Sequence, residues 1–200
     1  MLIDQEIDSI HPTKVLLFAG SLRQNSDNKK LIKETAIFAT QLGSDVTVID
    51  LKNYPFYFYD EDEEEIFGMP ENAKKIRDLM IESQIIFIAS PNYNNSFPAL
   101  VKNILDWTSR NEEAEASREA FKGKTFALMS AGYGSKGGVK GLPHLRAVIA
   151  NIGGTVIKEE FGVPDAYDAF DEQGLLIDPE LKAKLFKFVE NTLRAGSKPT

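Results

Sequence analysis

The groups best suited to holding an anion are concentrated in one stretch, Val15–Leu31, VLLFAGSLRQNSDNKKL. The apolar run from Val15 to Ala19 has the length and composition of a buried parallel strand, and it stops at Gly20. Polar residues follow to Asn28, and a helical pattern then opens with Leu31, Ile32, Ala36, Ile37 and Ala39. Strand, turn and helix start, in that order, put free backbone N–H groups and the positive end of a helix dipole around one concavity. Ser21 and Ser26 add hydroxyls, Asn28 an amide, and Arg23 a permanent charge on a planar fork that suits phosphate. The same residues also suit an ordinary strand–helix turn whose Ser and Asn only cap the helix.

Two more loops carry unusual chemistry. Ser90–Pro98, SPNYNNSFP, follows the apolar IIFIA and precedes a helix begun by Pro98. Pro91, Asn92, Asn94 and Ser96 favour a tight loop with accessible backbone amides, and Tyr93 offers a flat apolar face with a polar end. Such a loop could line the edge of a heteroaromatic ring; alternatively Ser96 caps the helix and Tyr93 packs at the sheet edge. Ser130–Gly138, SAGYGSKGG, has four glycines, Gly132, Gly137 and Gly138 among them, and glycine lets a ligand approach backbone closely. Read blandly, it is a mobile surface loop. No Ser–His–Asp set and no carboxylate pair stands in these loops. Any redox or transfer chemistry must then be carried by a cofactor that the protein binds and orients.

The elements that position these loops follow from periodicity. Strand-like runs recur at Lys14–Ala19, Asp45–Asp50, Ile85–Ser90, Thr125–Ser130 and Thr155–Lys158. Helical patterns lie between them at about Asn28–Leu42, Pro70–Glu82, Pro98–Ser109 and Leu142–Ile152, with a last one over Pro179–Ala195. Strict alternation predicts an α/β fold, a parallel sheet covered on both faces with right-handed crossovers. Five strands suit a flavodoxin-like three-layer sandwich of strand order 2-1-3-4-5, whose ligands bind beyond the C-terminal strand ends near the first and third strands. That rule selects the loops after Ala19, Ser90 and Ser130. One domain over residues 1–200, with its core at about 14–195, is expected, since no repeat or composition break divides the chain.

Composition narrows the class. The net charge of −7 argues against a nucleic-acid surface, though not against a local basic pocket. The absence of cysteine excludes disulfides, thiol catalysis and iron–sulfur ligation, and two histidines, His11 and His144, argue against a metal site. The N-terminus is acidic and has no long apolar run, so neither a signal peptide nor membrane insertion is expected, and a cytoplasmic protein is the default.

The spacing Gly20-Ser21-Leu22-Arg23-x-x-Ser26-x-Asn28-x-x-Leu31 resembles the phosphate-loop signature of the NAD(P)H-dependent FMN reductase family, which includes quinone, azo-dye and chromate reductases. Pro91-x-Tyr93-Asn94-x-Ser96-x-Pro98, continuing to Leu100-x-Lys102-Asn103-x-x-Asp106-Trp107, is similar to a second signature of that family, with Asn92 where the family usually has Glu. Phe170-Asp171-Glu172-x-Gly174-x-Leu176 matches a third motif, and the resemblance runs from about Lys14 to Asn191. It implies FMN as cofactor, its phosphate on Ser21, Arg23, Ser26 and Asn28. The ring would lie between Pro91–Ser96 (Pro91, Asn92, Tyr93, Asn94, Ser96) and Gly132–Gly138 (Gly132, Gly137, Gly138). The implied activity is ping-pong hydride transfer from NADPH or NADH to a small-molecule electron acceptor: a quinone, free flavin, azo compound or metal oxyanion. A homodimer or homotetramer is implied too. A flavodoxin-type electron carrier, or a flavin-binding module without reductase turnover, remains the alternative; Arg23 speaks against the carrier.

Other conspicuous residues read more plainly. Asp60–Glu65, an unbroken acidic run, is expected to be a solvated loop, unless the preceding Tyr57, Phe58 or Tyr59 overhangs a neighbouring subunit. His144 reads as a surface or interface residue, and Trp107 as packing with Leu100 and Ile104. Val101, Leu105 and Trp107 suggest a helix–helix dimer face.

Overall fold

The computed structural model describes residues 12–196; His11 and the acidic N-terminal stretch lie outside them. Strands β1 (Lys14–Ala19), β2 (Asp45–Ile49), β3 (Ile85–Ala89), β4 (Thr125–Ala131) and β5 (Thr155–Val163) form one parallel sheet in the order β2-β1-β3-β4-β5. Among the described residues the helices are α1 (Asp27–Gln41), α2 (Glu61–Phe67), α3 (Glu71–Glu82), α4 (Ala99–Thr108), α5 (Leu142–Asn151) and α6 (Pro179–Gly196).

Both faces of the central strands are buried, which is why they read as continuous apolar runs. Val15 and Leu17 of β1 point to one side with Phe87 and Met129, against Leu31 and Phe38 of α1 and Leu185 and Phe188 of α6. Leu16 and Phe18 point to the other with Ile86 and Leu128, against Ile76 of α3, Ile104 of α4 and Leu145 of α5. Each such side chain, removed from water, contributes about 1.5–3 kcal/mol. The expected sandwich and strand order are both present.

Three local expectations change. The acidic run is α2, not a loop. Asp60 caps it by accepting from the Asp62 and Glu63 N–H groups, and its acidic first turn complements the helix dipole. Glu64, buried to 2% exposure, accepts from Arg110 Nε at 3.0 Å and from the Tyr59 hydroxyl at 3.0 Å. Strand β5 runs five residues beyond its apolar start, to Val163, through a register shift opposite Phe126–Leu128. Arg146 of α5 holds that irregularity, donating to the Ile157 carbonyl at 2.7 Å and to Glu160 Oε1 at 2.8 Å. Val101, Leu105 and Trp107 are not a dimer face, because all three are buried within the protomer. The Trp107 indole N–H donates to the Tyr57 carbonyl at 3.1 Å, and Tyr57 and Tyr59 pack edge-on against its ring. His144 is exposed, as expected.

The Phe170–Leu176 motif is a tight turn strapped across α1: Leu176 N–H donates to Glu34 Oε2 at 2.8 Å, and Lys33 Nζ to the Gln173 carbonyl at 2.6 Å. It fixes the helix whose N-terminus faces the sheet's C-terminal end. Among the described residues no helix is long and apolar enough to cross a membrane.

Candidate functional site

The three loops predicted from strand order converge. The first leaves β1 at Gly20, whose N–H donates to the Ala89 carbonyl at 2.9 Å and so prolongs the β1–β3 ladder by one bond. Any Cβ on Gly20 would overlap the Val101 side chain, so the strand can turn here only through glycine. Ser21 is buried and its Oγ accepts from the Arg23 N–H at 3.3 Å. Ser26 occupies the N-cap of α1 in an extended conformation, yet its hydroxyl makes no capping bond. That hydroxyl and the first amides of α1 remain available to an anion.

Asn28 behaves differently from Ser21 and Ser26. Its amide is directed at the end of β4, donating to the Ala131 carbonyl and accepting from the Ala131 N–H, both at 3.0 Å. It therefore ties the start of α1 to the start of the glycine loop.

In the second loop Tyr93 and Ser96 exchange backbone hydrogen bonds of 2.8 and 3.0 Å around Asn94 and Asn95. Asn94 and Asn95 have φ of 52° and 60°, which asparagine tolerates better than most residues, and the result is a two-residue hairpin. Its tip points outward, leaving Tyr93 52% exposed. Ser96 does not cap α4: its Oγ lies 3.2 Å from His144 Nδ1, and Pro98 stands at the helix start.

The glycines of the third loop serve the packing of the loop itself. A Cβ on Gly137 would fall 2.7 Å from the Val163 backbone, and one on Gly138 would fall 2.5 Å from Ser130 Oγ. Both residues have positive φ, 60° and 74°. Asn92 lies under this loop, its Oδ1 where a Cβ on Gly141 would come within 2.8 Å. Asn92 Oδ1 and Ser130 Oγ are buried there without a hydrogen-bond partner.

Between the loops opens a cleft of ≈ 520 Å³, a volume usual for small-molecule sites. Ser21, Arg23, Ser26, Asn28, Pro91, Asn92, Tyr93, Gly132 and Gly138 line it. Asn94, Ser96 and Gly137 do not. Asn94 sits at the hairpin tip, Ser96 faces His144, and Gly137 is turned against β5. Asn95, Tyr133, Lys136 and Lys140 join the lining, and so does Asp27, which is paired with Lys30 at 2.8 Å. Tyr133 and Lys136 stand between the glycines that drew notice to their loop, and Lys140 lies beyond it with no local signal. A hydrogen bond with the Tyr133 side chain raises the Arg23 guanidinium above its ordinary value. Among the described residues no cluster of three or more His, Asp or Glu is placed to hold a metal ion.

Residues 13–168 match the family model of the NADPH-dependent FMN reductases. The chain belongs to this family. An NAD(P)H-dependent FMN reductase of Pseudomonas aeruginosa is 30% identical over 172 residues, covering 84% of this chain and 87% of its relative. A 2-hydroxy-1,4-benzoquinone reductase of Burkholderia is 27% identical over 178 residues, covering 88% and 92%. In fold, this FMN reductase family member is similar to the flavoenzyme NAD(P)H:acceptor oxidoreductase FerB of Paracoccus denitrificans. The TM-score is 0.76 at 23% identity, over 91% of this chain and 96% of the other.

Proposed function

We propose that the cleft binds FMN and that the protein is an NAD(P)H oxidoreductase reducing quinones or similar small acceptors. One observation carries the reading: the α1 N-terminus, with Arg23 and the uncommitted Ser26 hydroxyl, opens into the same cleft as Tyr93 and the glycine loop. The donor set fits the group. A phosphate dianion suits a cation, hydroxyls and helix amides, and a flat ring suits a slot walled by main chain and tyrosine.

Ser21, Arg23 and Ser26 would hold the phosphate. Asn28 would act one step back, keeping the helix start and the glycine loop in register through Ala131. Pro91, Asn92 and Tyr93 would border one edge of the ring and Gly132 and Gly138 the other. The chemistry that bound FMN supplies is two-electron transfer, hydride in from NAD(P)H and reducing equivalents out to the acceptor, in ping-pong order. The chain's own part is to bind, orient and restrict access. Quinone acceptors are favoured by the relative named a benzoquinone reductase.

Visible spectroscopy of purified protein mixed with FMN tests the proposal. Retained yellow colour that bleaches on NADPH addition under argon, and returns on addition of a quinone, supports it. A colourless protein after desalting refutes it. The same reading includes assembly as a homodimer or homotetramer, to be measured by light scattering.

A further inference from the structure

The cleft carries more positive charge than one dianionic ligand uses. Arg23, Lys136 and Lys140 line it, in a chain whose net charge is −7. The single carboxylate of the lining, Asp27, is already paired with Lys30. Among the described residues neither Lys136 nor Lys140 has an ion-pair partner, and both are exposed. Two exposed ammonium groups without a counter-charge give this opening a local positive field in an otherwise acidic chain.

Lys140 lies apart from the phosphate loop, and Lys136 sits against β5, its carbonyl 3.1 Å from where a Cβ on Gly162 would stand. Lys140 directly precedes Gly141, where a Cβ would sit within 2.8 Å of both Asn92 and Ser96. That is the second-loop end of the cleft, beside the half-exposed ring of Tyr93. Arg23 instead neighbours Tyr133, at the end formed by α1 and Ala131.

Resting on the reading of this cleft as an FMN site, we infer that the acceptor reduced here is a planar aromatic quinone bearing an anionic substituent. The substituent is held by Lys140 and Lys136, and the acceptor's ring enters against Tyr93. A phosphate at α1 neutralises Arg23 and the helix end and leaves the two lysines as the counter-charge for a second ligand. Cations at the mouth of a cleft raise the local concentration of anions and their association rate, whereas the acidic remainder of the surface repels them. In the step itself NAD(P)H gives up a hydride and solvent a proton. The two quinone carbonyls become hydroxyls, NAD(P)⁺ leaves, and the anionic substituent is unchanged.

The test uses the full chain saturated with FMN, with NADH and NADPH in turn as reductant, and two acceptors: 1,4-naphthoquinone-2-sulfonate and uncharged 1,4-naphthoquinone. In the double variant Lys136→Gln/Lys140→Gln the sulfonate-to-neutral ratio of kcat/KM is expected to fall about tenfold, the sum of two exposed charge contacts. The wild-type ratio should shrink similarly as salt shortens the range of the field. Calorimetric titration with 2-naphthalenesulfonate, which cannot be reduced, should show the same weakening. An unmoved ratio in a variant that still binds FMN overturns the inference. So does a change confined to the preference for NADPH over NADH, because the lysines would then serve the reductant's extra phosphate. A wild-type chain that binds no FMN removes the reading beneath and the inference with it.

Discussion

Asn28 holds Ala131 by both ends of its amide, two 3.0 Å hydrogen bonds between residues 103 positions apart in sequence. The bond pair closes one end of the cleft, because it fixes how far the α1 N-terminus stands from the glycine loop. Asn28→Ala leaves a buried N–H and C=O at Ala131 unpaired and should cost roughly 2–4 kcal/mol of stability. Urea unfolding measures this. FMN affinity should fall together with stability, although Asn28 spends its side chain on protein.

Arg23→Ala should show the opposite separation. The side chain is exposed and its loop is held by other residues, so the unfolding midpoint should hardly change. FMN binding, followed by quenching of flavin fluorescence, should weaken by about 1.5–3 kcal/mol, on the order of tenfold to a hundredfold in Kd. An unaltered Kd would remove Arg23 from the site.

Gly138→Ala places a methyl 2.5 Å from Ser130 Oγ at a backbone φ of 74°. Steric and conformational strain both act, and a loss of roughly 2–3 kcal/mol is expected. Adding Ser130→Ala removes the obstructing hydroxyl and should restore the steric share alone. A thermal-melt series over the two single variants and the double reads the difference; no recovery in the double would show that the φ strain accounts for the whole loss.

Glu64→Ala strands Arg110 without its main partner. The carboxylate is 1% exposed and the guanidinium side chain 19%, so the cost should lie near about 3 kcal/mol, at the lower end for a broken buried pair. Glu64 does not line the cleft, and flavin affinity measured on the folded variant should match wild type.

Asp50 gives a pH signature. Partial burial pulls its carboxyl up, but hydrogen bonds from Lys29 and from the Lys52 N–H, together with both lysine charges, outweigh that and hold it below its ordinary 3.8. The folded chain therefore takes up this proton less readily than the unfolded one. The stabilising contribution is complete above the unfolded value and is lost as pH falls through the folded one. The difference in unfolding free energy between wild type and Asp50→Asn, followed from about pH 5 to pH 2.5, should shrink toward zero.

Much of the architecture was legible because its signals are local. The apolar runs of β1, β3 and β4, the glycine after β1 and the Asp178-Pro179 start of α6 each carry their own cause. What was missed depends on distant partners. Six adjacent acids read as repulsion until Arg110, 46 residues from Glu64, accounts for the buried one and Asp60 for the cap. Glu159 and Glu160 end the apolar pattern of β5, and only Arg146, reaching from α5, lets the strand continue. In the site, residue type located the loops, but not which side chains turn inward. Asn94 and Asn95 are chemically equivalent, yet only Asn95 lines the cleft. Lys140 stands outside any motif and enters the lining through the packing of Gly141 on Asn92 and Ser96.

The glycine loop is fitted so tightly against β5 and Ser130 that its floor tolerates almost no change, whereas Tyr93, Lys136 and Lys140 around the opening are exposed. Selection can therefore redecorate the entrance at Tyr93, Lys136 and Lys140 with little penalty to folding. One chassis could in this way be retuned from one oxidant to another by a handful of surface exchanges, each reversible and none requiring a compensating change beneath.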